Sequence, residues 1–119
     1  MESNKRKVGG YYEKKAADYL KQQGLQIKVM NFRCNSGEID LIARDVKYLV
    51  FVEVKYRSDK TSGDAAEAVG YWKQKIISKV AKYYIVTHYH TVDIACRFDV
   101  ICFDGEEIRW LKDAFEYTE

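Results

Sequence analysis

Residues 37–57 read GEIDLIARDVKYLVFVEVKYR, and this stretch decides the fold. It holds two runs rich in isoleucine, leucine and valine on either side of a short polar segment. Apolar residues that recur at every second position are typical of half-buried β-strands. The pattern predicts two strands, Glu38–Arg44 and Tyr48–Arg57, joined as a hairpin by a short loop around Asp45–Lys47.

The apolar side chains also predict the register of this hairpin. A one-residue slip would turn one strand's apolar set to the wrong face, so both sets must share a face. Three cross-strand pairs follow, namely Ile39 with Val54, Leu41 with Val52, and Ala43 with Val50. A two-residue turn at Val46-Lys47 fits this register although it lacks the glycine that such turns prefer, and a four-residue loop fits it equally well.

The same register places acid against acid on the other face. Asp40 falls opposite Glu53, and Glu38 falls opposite Lys55. Side chains paired in this way lie about 5 Å apart, so the two carboxylates repel unless a cation or a proton lies between them. Mg²⁺ or Mn²⁺ suits oxygen ligands of this kind, and the lysine could stabilise charge that develops on a phosphate. The alternative is a pair of solvent-facing acids balanced by neighbouring basic residues.

A third acid precedes the hairpin in the sequence. A helix is predicted from about Gly10 to Gln23, and Glu13 continues its apolar stripe of Ala16, Ala17 and Leu20. A carboxylate on that stripe would point toward the sheet, where it needs a partner. It would also be favoured near the positive end of the helix, so a purely local role stays open.

The rest of the chain predicts further strands and helices in a single domain over residues 1–119. The predicted elements are a strand at Leu25–Phe32 with alternating apolar residues, a short helix at Asp64–Val69, a helix from Tyr71 to about Tyr84, a strand at Asp93–Phe103 and a short edge strand at Glu107–Leu111. The expected inward stripe of the longer helix is Trp72, Ile76, Val80 and Tyr83. This order indicates a layered α/β or α+β fold.

Composition places the chain among soluble globular proteins, since 47% of its 119 residues are hydrophobic and 32% are charged. No apolar run approaches the roughly 20 residues needed to cross a bilayer, and no apolar segment follows the basic start as it would in a secretion signal. Three cysteines without paired spacing indicate a reducing compartment. We therefore expect a cytoplasmic protein with no membrane partner.

Charge is unevenly distributed along the chain. Residues 1–98 carry 18 basic and 11 acidic side chains, whereas residues 99–119 carry 2 basic and 7 acidic ones. The basic part could attract a polyanion, and Lys75, Lys79 and Lys82 on one helix face could follow a phosphate backbone. A solvated surface is the simpler interpretation of charge alone. The acidic segment Asp104–Glu119 could instead bind a protein, as in a small adaptor.

Two further patterns leave alternatives open. Several tyrosines near basic residues could stack on nucleobases, although scattered tyrosines more often serve amphipathic packing, which is the expectation here. These tyrosines are Tyr11, Tyr12, Tyr56 and Tyr71. Arg97 and Asp99 share one strand face and could form an ion pair that either supports the site or is merely structural.

Three strings resemble the YraN-type family of small bacterial proteins: NFR at residues 31–33, GEIDLIA at 37–43 and VFVEVKYR at 50–57. The resemblance extends over nearly the whole chain. It includes Gly9, Glu13, Lys73-Gln74, Arg97–Val100 and Asp113–Phe115. The family is described as endonuclease-like because it resembles the PD-(D/E)xK nuclease superfamily, near the archaeal Holliday-junction resolvases.

The resemblance implies a role for particular residues. Asp40 and Glu53 would be the two metal-binding acids, and Lys55 would be the catalytic lysine. The carbonyl of Val54 would complete the shell of an Mg²⁺ or Mn²⁺ ion, and Glu13 would be the additional helix-borne acid of the resolvase-like branch. Gln74 or Lys73 would lie on the later helix and face the site or a phosphate. Together with the basic residues Arg57 and Lys75, they make up the expected nucleic-acid contacts.

The implied fold is a restriction-endonuclease-like αβββαβ core, with a mixed central sheet flanked by helices. The implied function is a metal-dependent endonuclease that hydrolyses phosphodiester bonds, with DNA as the expected substrate. A nucleic-acid-binding module that keeps the fold without turnover, and the protein-binding adaptor, are the alternatives. Resolvase-like relatives often work as dimers, which leaves a homodimer open.

Overall fold

A computed structural model describes residues 2–57, 69–90 and 94–118, with side chains described for 10–56, 69–90 and 94–118. The chain forms two helices and five strands in the order αβββαββ, which confirms the predicted α+β class. The elements are α1 (Glu2–Gln22), β1 (Gln26–Cys34), β2 (Gly37–Asp45), β3 (Tyr48–Arg57), α2 (Tyr71–Tyr89), β4 (Cys96–Asp104) and β5 (Glu107–Phe115). No helix among these residues is long and apolar enough to cross a membrane.

The five strands form one mixed sheet in which they follow their order in the sequence, from β1 to β5. The β3–β4 pair is parallel, and the other three pairs are antiparallel. A parallel pair needs a long crossover, and α2 lies within the connection between β3 and β4. Because these two strands are parallel, the C-terminal ends of β3 and β4 lie at the same end of the sheet.

The two helices pack on opposite faces of the sheet, which gives two apolar layers. On one face, Ala16, Ala17 and Leu20 of α1 join Leu25, Leu41, Ala43, Val50, Val52, Ile101 and Phe103. On the other face, Ile77, Val80, Ala81, Tyr84 and Ile85 of α2 join Ile39, Ile42, Leu49, Phe51, Phe98 and Val100, among others. Strands covered on both faces are nearly continuously apolar, as Leu49–Val52 is.

The hairpin register is confirmed where the ladder is regular. Leu41 pairs with Val52 and Ala43 with Val50, and the connection is a two-residue turn between Asp45 and Tyr48. Val46 supplies the positive φ of 55° that a glycine would otherwise provide. The bounds of β3 agree with the prediction, and β2 is one residue longer at each end.

The predicted face of Ile39 is wrong. Ile39 packs in the α2 layer, whereas Leu41, only two residues later, packs in the α1 layer. The pleat is therefore interrupted at Asp40, and across from it on β1 Asn31 has a positive φ of 56°. The β2–β3 ladder ends at Leu41–Val52, so the predicted pairs Ile39–Val54, Asp40–Glu53 and Glu38–Lys55 are not part of it.

The simple alternation predicted for the first strand is also wrong. The register of β1 shifts between Ile27 and Val29, as in a β-bulge. Because of this extra residue, Ile27 packs toward α1 and Val29 packs toward α2. The strand also runs two residues beyond its predicted end at Phe32.

Both helices are longer than predicted. α1 begins at Glu2 instead of about Gly10, because residues 2–9 include no proline and no strong cap precedes Tyr11. α2 ends at Tyr89 instead of about Tyr84, where His90 adopts a left-handed conformation. Its N–H donates to the carbonyl of Val86 and closes the helix.

The predicted inward stripe of α2 is wrong for three of its four members. Trp72, Ile76 and Tyr83 are exposed, and only Val80 is buried. The buried residues are Ile77, Ser78, Val80, Ala81, Tyr84 and Ile85. α2 carries apolar residues around most of its circumference, so the sequence pattern alone does not fix which face turns inward.

The C-terminal strands differ in length from the predictions. β4 begins at Cys96 rather than Asp93, and β5 continues to Phe115 as an edge strand rather than ending at Leu111. A register shift between Phe98 and Val100 accompanies this longer pairing. The predicted polar loop from Ser58 and the short helix from Asp64 lie outside the described residues, which resume at Val69.

Candidate functional site

Asp40 lies where β2 and β3 separate. Its Oδ2 accepts a hydrogen bond of 2.8 Å from the backbone N–H of Val54. That N–H lies just beyond the last ladder pair, Leu41–Val52, so the carboxylate takes the place of a strand carbonyl. Irregular backbone next to a carboxylate is common beside active sites. The contact holds the Asp40 side chain against the backbone of β3.

Glu53 is almost fully buried beside Asp40. Only 6% of its surface is exposed, and it shares the α2-facing parity of β3 with Phe51. Its Oε2 accepts no hydrogen bond from any described residue. The Lys73 Nζ of α2 lies 3.5 Å from this oxygen and forms an ion pair with it. A buried carboxylate oxygen that has a nearby charge but no hydrogen bond is an incompletely satisfied group.

The electrostatics of Glu53 favour its neutral form. The pKa of its carboxyl is raised from 4.5 to about 8, mainly by burial and then by the hydrogen bond and the negative charge of Asp40. Lys73 and Lys55 act in the opposite direction but are weaker. The predicted conflict between the two acids is therefore present in the fold, although it is reached through side chains and not through a ladder pair.

Glu13 approaches the same place from α1. It is partly buried, and the pKa of its carboxyl is raised from 4.5 to about 7, mainly by burial. The negative charges of Asp40 and Glu38 contribute to this rise, whereas a side-chain hydrogen bond from Asn31 opposes it. The interrupted stretch of β1 thus supplies a donor to Glu13, and Glu13 in turn contacts Asp40.

Asp40 interacts with both of the other acids. Neither glutamate, however, is among the groups that shift the pKa of the other. Within the described ranges, no three His, Cys, Asp or Glu side chains come close enough together to hold a metal ion. The predicted convergence of three carboxylates on one ion is therefore not present in this arrangement.

Two of the acids nevertheless fit a hard divalent cation. Mg²⁺ commonly uses one or two carboxylates together with water and a substrate phosphate. Asp40 and Glu53 supply two carboxylates, and the unsatisfied Oε2 of Glu53 is an oxygen that a cation would satisfy. Val54 lies beside them, and its N–H already holds Asp40 in place.

The positive charges near the site differ in part from the predicted ones. Glu38 forms an ion pair of 3.4 Å with Arg33 of β1, so the predicted pairing of Glu38 with Lys55 is wrong. The β1–β2 ladder pairs Arg33 directly with Glu38, whereas β2 and β3 have already separated at this point. Lys55 is partly buried and acts on Glu53 electrostatically.

The other predicted contacts lie at the start of α2. Lys73 faces the site through its ion pair with Glu53. Gln74 donates a hydrogen bond of 2.8 Å from its side chain to the carbonyl of Val69, which ties down the segment before the helix. Lys75 lies over the rings of Tyr71 and Trp72. The side chain of Arg57 lies outside the described side chains.

Arg97 and Asp99 form a separate structural network. Arg97 bonds Asp99 and Asp45, each at 3.0 Å. Asp99 is fully buried and also accepts hydrogen bonds from the Trp110 indole and the Asp113 backbone. These contacts join the β2–β3 turn, β4 and β5, and none of them reaches Asp40 or Glu53. Of the two alternatives for this ion pair, support of the site or a purely structural role, the contacts agree with the structural one.

Two site contacts were not predicted from the residues themselves. The Lys73–Glu53 ion pair depends on the rotation of α2, which the apolar pattern does not fix. The Asn31–Glu13 hydrogen bond depends on the interruption of β1, for which the sequence carries only the asparagine, a residue that tolerates positive φ.

Comparison with known proteins agrees with the resemblance of the motifs. The model of the Uncharacterised protein family UPF0102 matches residues 12–103, which include every site residue named above. The chain belongs to the UPF0102 family. This is the YraN-type family that its strings resemble.

Individual UPF0102 proteins match nearly the whole chain. A UPF0102 protein of Lachnoclostridium phytofermentans is 47% identical over 113 residues, which cover 95% of this chain and 96% of that protein. One from a Janthinobacterium species is 48% identical over 94% of this chain and 89% of its own length. One from Legionella pneumophila is 41% identical over 91% of this chain and 93% of its own length.

Proposed function

We propose that this UPF0102 protein is a metal-dependent nuclease that hydrolyses phosphodiester bonds, with DNA as its substrate. The observation that carries the proposal is the buried Glu53 beside Asp40, with an oxygen that accepts no hydrogen bond from the described residues. A fold accepts such an electrostatic cost at sites that bind or react. The resemblance to PD-(D/E)xK nucleases supports the same assignment of the two acids.

Asp40 and Glu53 would hold the cation, with the carbonyl of Val54 completing the set. A bound Mg²⁺ or Mn²⁺ supplies Lewis-acid polarisation of the phosphate and lowers the pKa of water. Lys55, one residue beyond Val54 on β3, brings an ammonium group to stabilise charge on the phosphate. These roles use the side chains of Asp40, Glu53 and Lys55 together with one backbone carbonyl of β3.

Glu13 fits the role of a proton-transferring group. Its pKa of about 7 allows the carboxyl both to accept and to release a proton near neutral pH. The hydrogen bond from Asn31 orients this carboxyl next to Asp40. Glu13 therefore acts on water or on the departing oxygen more readily than as a further permanent ligand.

The nucleic acid would lie across the start of α2. Lys73 and Lys75 place ammonium groups there, and Gln74 fixes the preceding segment. Helix N-termini attract phosphate because their first N–H groups point outward. Arg57, at the end of β3, would extend this basic surface.

Cleavage of a panel of labelled single-stranded, duplex and branched DNA tests the proposal. We expect product with Mg²⁺ or Mn²⁺ and none with a chelator. Asp40→Asn keeps an acceptor for the Val54 N–H but removes the charge, and should lower the cleavage rate by about a hundredfold or more. Asp18→Asn on the exposed face of α1 is the matched control and should cleave normally. Cleavage by Asp40→Asn at the wild-type rate would refute the assignment.

A second candidate is nucleic-acid binding without turnover. It is favoured because no group of three potential ligands is assembled among the described residues. Salt-sensitive retention of DNA with no product under any divalent metal would support this candidate over the nuclease.

A further inference from the structure

Two aromatic groups are next in sequence to residues of the acidic site, and the first lies at the start of α2. Trp72 is 74% exposed and Tyr71 is 59% exposed, although both are large apolar side chains. Their rings meet edge to face with centroids 6.0 Å apart. The Lys75 Nζ lies 5.4 Å from the Trp72 ring and 5.5 Å from the Tyr71 ring, as in cation–π contacts.

The second aromatic group lies between α1 and the end of β3. Tyr12 stacks on Tyr56 with ring centroids 4.5 Å apart and planes 11° apart. Tyr11 meets Tyr12 edge to face at 5.2 Å, and the Lys15 Nζ lies 5.1 Å from the Tyr11 ring. Tyr11 and Tyr56 keep at least half of their surface exposed. Each group thus combines open ring surface with an ammonium ion.

Residues of both groups are next to residues of the site in the sequence. Tyr12 precedes Glu13, Tyr56 follows Lys55, and Trp72 precedes Lys73. Lys73 contacts Glu53 from the α2 side of the sheet, and Glu13 contacts Asp40 from α1. One aromatic group thus belongs to the helix that carries Lys73, and the other joins the helix that carries Glu13 to the strand that carries Glu53.

We propose that these two aromatic groups bind unpaired nucleobases, so that the substrate carries single-stranded nucleotides next to the cleaved bond. This inference rests on the proposed nuclease function. Exposed rings bind any base through its π-face, and the ammonium groups beside them match the phosphates between successive bases. Paired bases in a duplex keep their faces stacked on one another, so a blunt duplex gains nothing from these rings.

Fluorescence anisotropy of the full chain with excess chelator tests the inference without any cleavage. The probes are labelled oligo-dT, oligo-U of the same length, and a blunt DNA hairpin with the same number of phosphates whose loop is a linker without bases. We expect the wild type to prefer a single strand to the hairpin. Trp72→Ala should weaken binding of that strand about tenfold while leaving hairpin binding within about twofold. Trp72→Phe should restore most of the affinity because it keeps a ring.

Tyr83→Ala is the matched control, since Tyr83 is an exposed aromatic on the same helix but lies near Phe32 instead of the acids. It should bind all three probes as the wild type does. Tyr56→Ala tests the second group independently and should also weaken single-strand binding. A loss in either oligo-dT or oligo-U supports the inference, and the tighter of the two shows which of these strands the surface prefers.

Equal losses for single strand and hairpin, or no loss in Trp72→Ala and Tyr56→Ala, would overturn the inference. The nuclease proposal fails separately. Single-strand binding that depends on Trp72, with no cleavage under any metal, would refute the nuclease proposal and support the base-binding surface. Metal-dependent cleavage that needs Asp40, together with unchanged single-strand binding in both aromatic variants, would keep the nuclease proposal and overturn the base-binding inference.

Discussion

Glu53 shows at the scale of one residue how the fold maintains a carboxyl that resists ionisation. This carboxyl is buried against Asp40, and an ammonium group lies 3.5 Å away. Its ionised form carries a desolvation cost that a neutral side chain of the same shape does not have. A measurement of stability against pH can therefore detect this carboxyl without any substrate.

Glu53→Gln should flatten the pH dependence of stability in the presence of a chelator. The native carboxyl, with a pKa of about 8, keeps its proton at pH values where an ordinary glutamate at 4.5 has lost it. Its stabilising contribution is thus complete below about pH 4.5 and is lost as the pH rises to about 8. The wild type should lose free energy of unfolding relative to Glu53→Gln across this window, by at most about 1.4 kcal/mol per pH unit.

Urea unfolding at several pH values within this window measures the effect. Asp18→Asn, an exposed acid of α1, is the control and should keep the wild-type slope. Parallel stability profiles for the wild type and Glu53→Gln would contradict the burial of a titrating carboxyl at this position.

The contact of Asp40 with Glu53 was predictable from the sequence, whereas the contacts that support it were not. The parity of the apolar residues predicts both acids on one face, and the two acids do interact although the pleat is interrupted at Asp40. The register is realised at Leu41–Val52 and Ala43–Val50. The hydrogen bond from Val54 to Asp40 arises because the ladder ends there, and a regular alternation of residues does not indicate such an ending.

At the scale of elements, the close approach of α2 to β2 depends on Gly37. A Cβ at this position would lie 2.5 Å from Ile76 Cγ2 and 3.5 Å from Val80 Cγ2, and Gly37 has a φ of +148°. Both the short distance to Ile76 and the positive φ disfavour any residue that has a Cβ. Gly37 begins the strand that carries Asp40, so the seating of α2 and the position of the acid are coupled.

Gly37→Ala should destabilise the protein by at least about 1–3 kcal/mol, through overpacking against α2 and through its backbone conformation. Gly10→Ala is the contrasting control, since no atom lies within 4 Å of the added Cβ in α1, and it should stabilise by about 0.5–1 kcal/mol. Urea unfolding of both variants gives the comparison. A Gly37→Ala variant as stable as the wild type would contradict the close packing of Ile76 on this residue.

The element bounds in the β2–β3 hairpin followed from the sequence, but the rotation of α2 did not. Period-two alternation specifies a strand face directly, because a shift by one residue exchanges the faces. In α2, Trp72, Ile76 and Tyr83 are as apolar as the residues that are buried. Packing against Ile39 and Ile42 selects the observed face, and this is a tertiary effect.

At the scale of the whole molecule, the sheet brings the two helices to one site from opposite faces. α1 supplies Glu13 and α2 supplies Lys73, while β2 and β3 supply Asp40 and Glu53. The order of helices and strands was predictable from the sequence. The sheet order and the parallel β3–β4 pair were not predicted from the residues, since no local pattern encodes which strands become neighbours after a crossover.

Isothermal titration of the full chain with Mn²⁺ tests the central claim, that Asp40 and Glu53 form a cation site. Wild type and Asp18→Asn should bind one ion with the same affinity. Asp40→Asn and Glu53→Gln should each bind it at least about 100-fold more weakly. Loss of a residue that only orients a metal ligand already lowers metal affinity by about 10- to 100-fold, and loss of the ligand itself costs more. Mn²⁺ binding by Asp40→Asn and Glu53→Gln as tight as that of the wild type, or no binding by the wild type, would contradict the account.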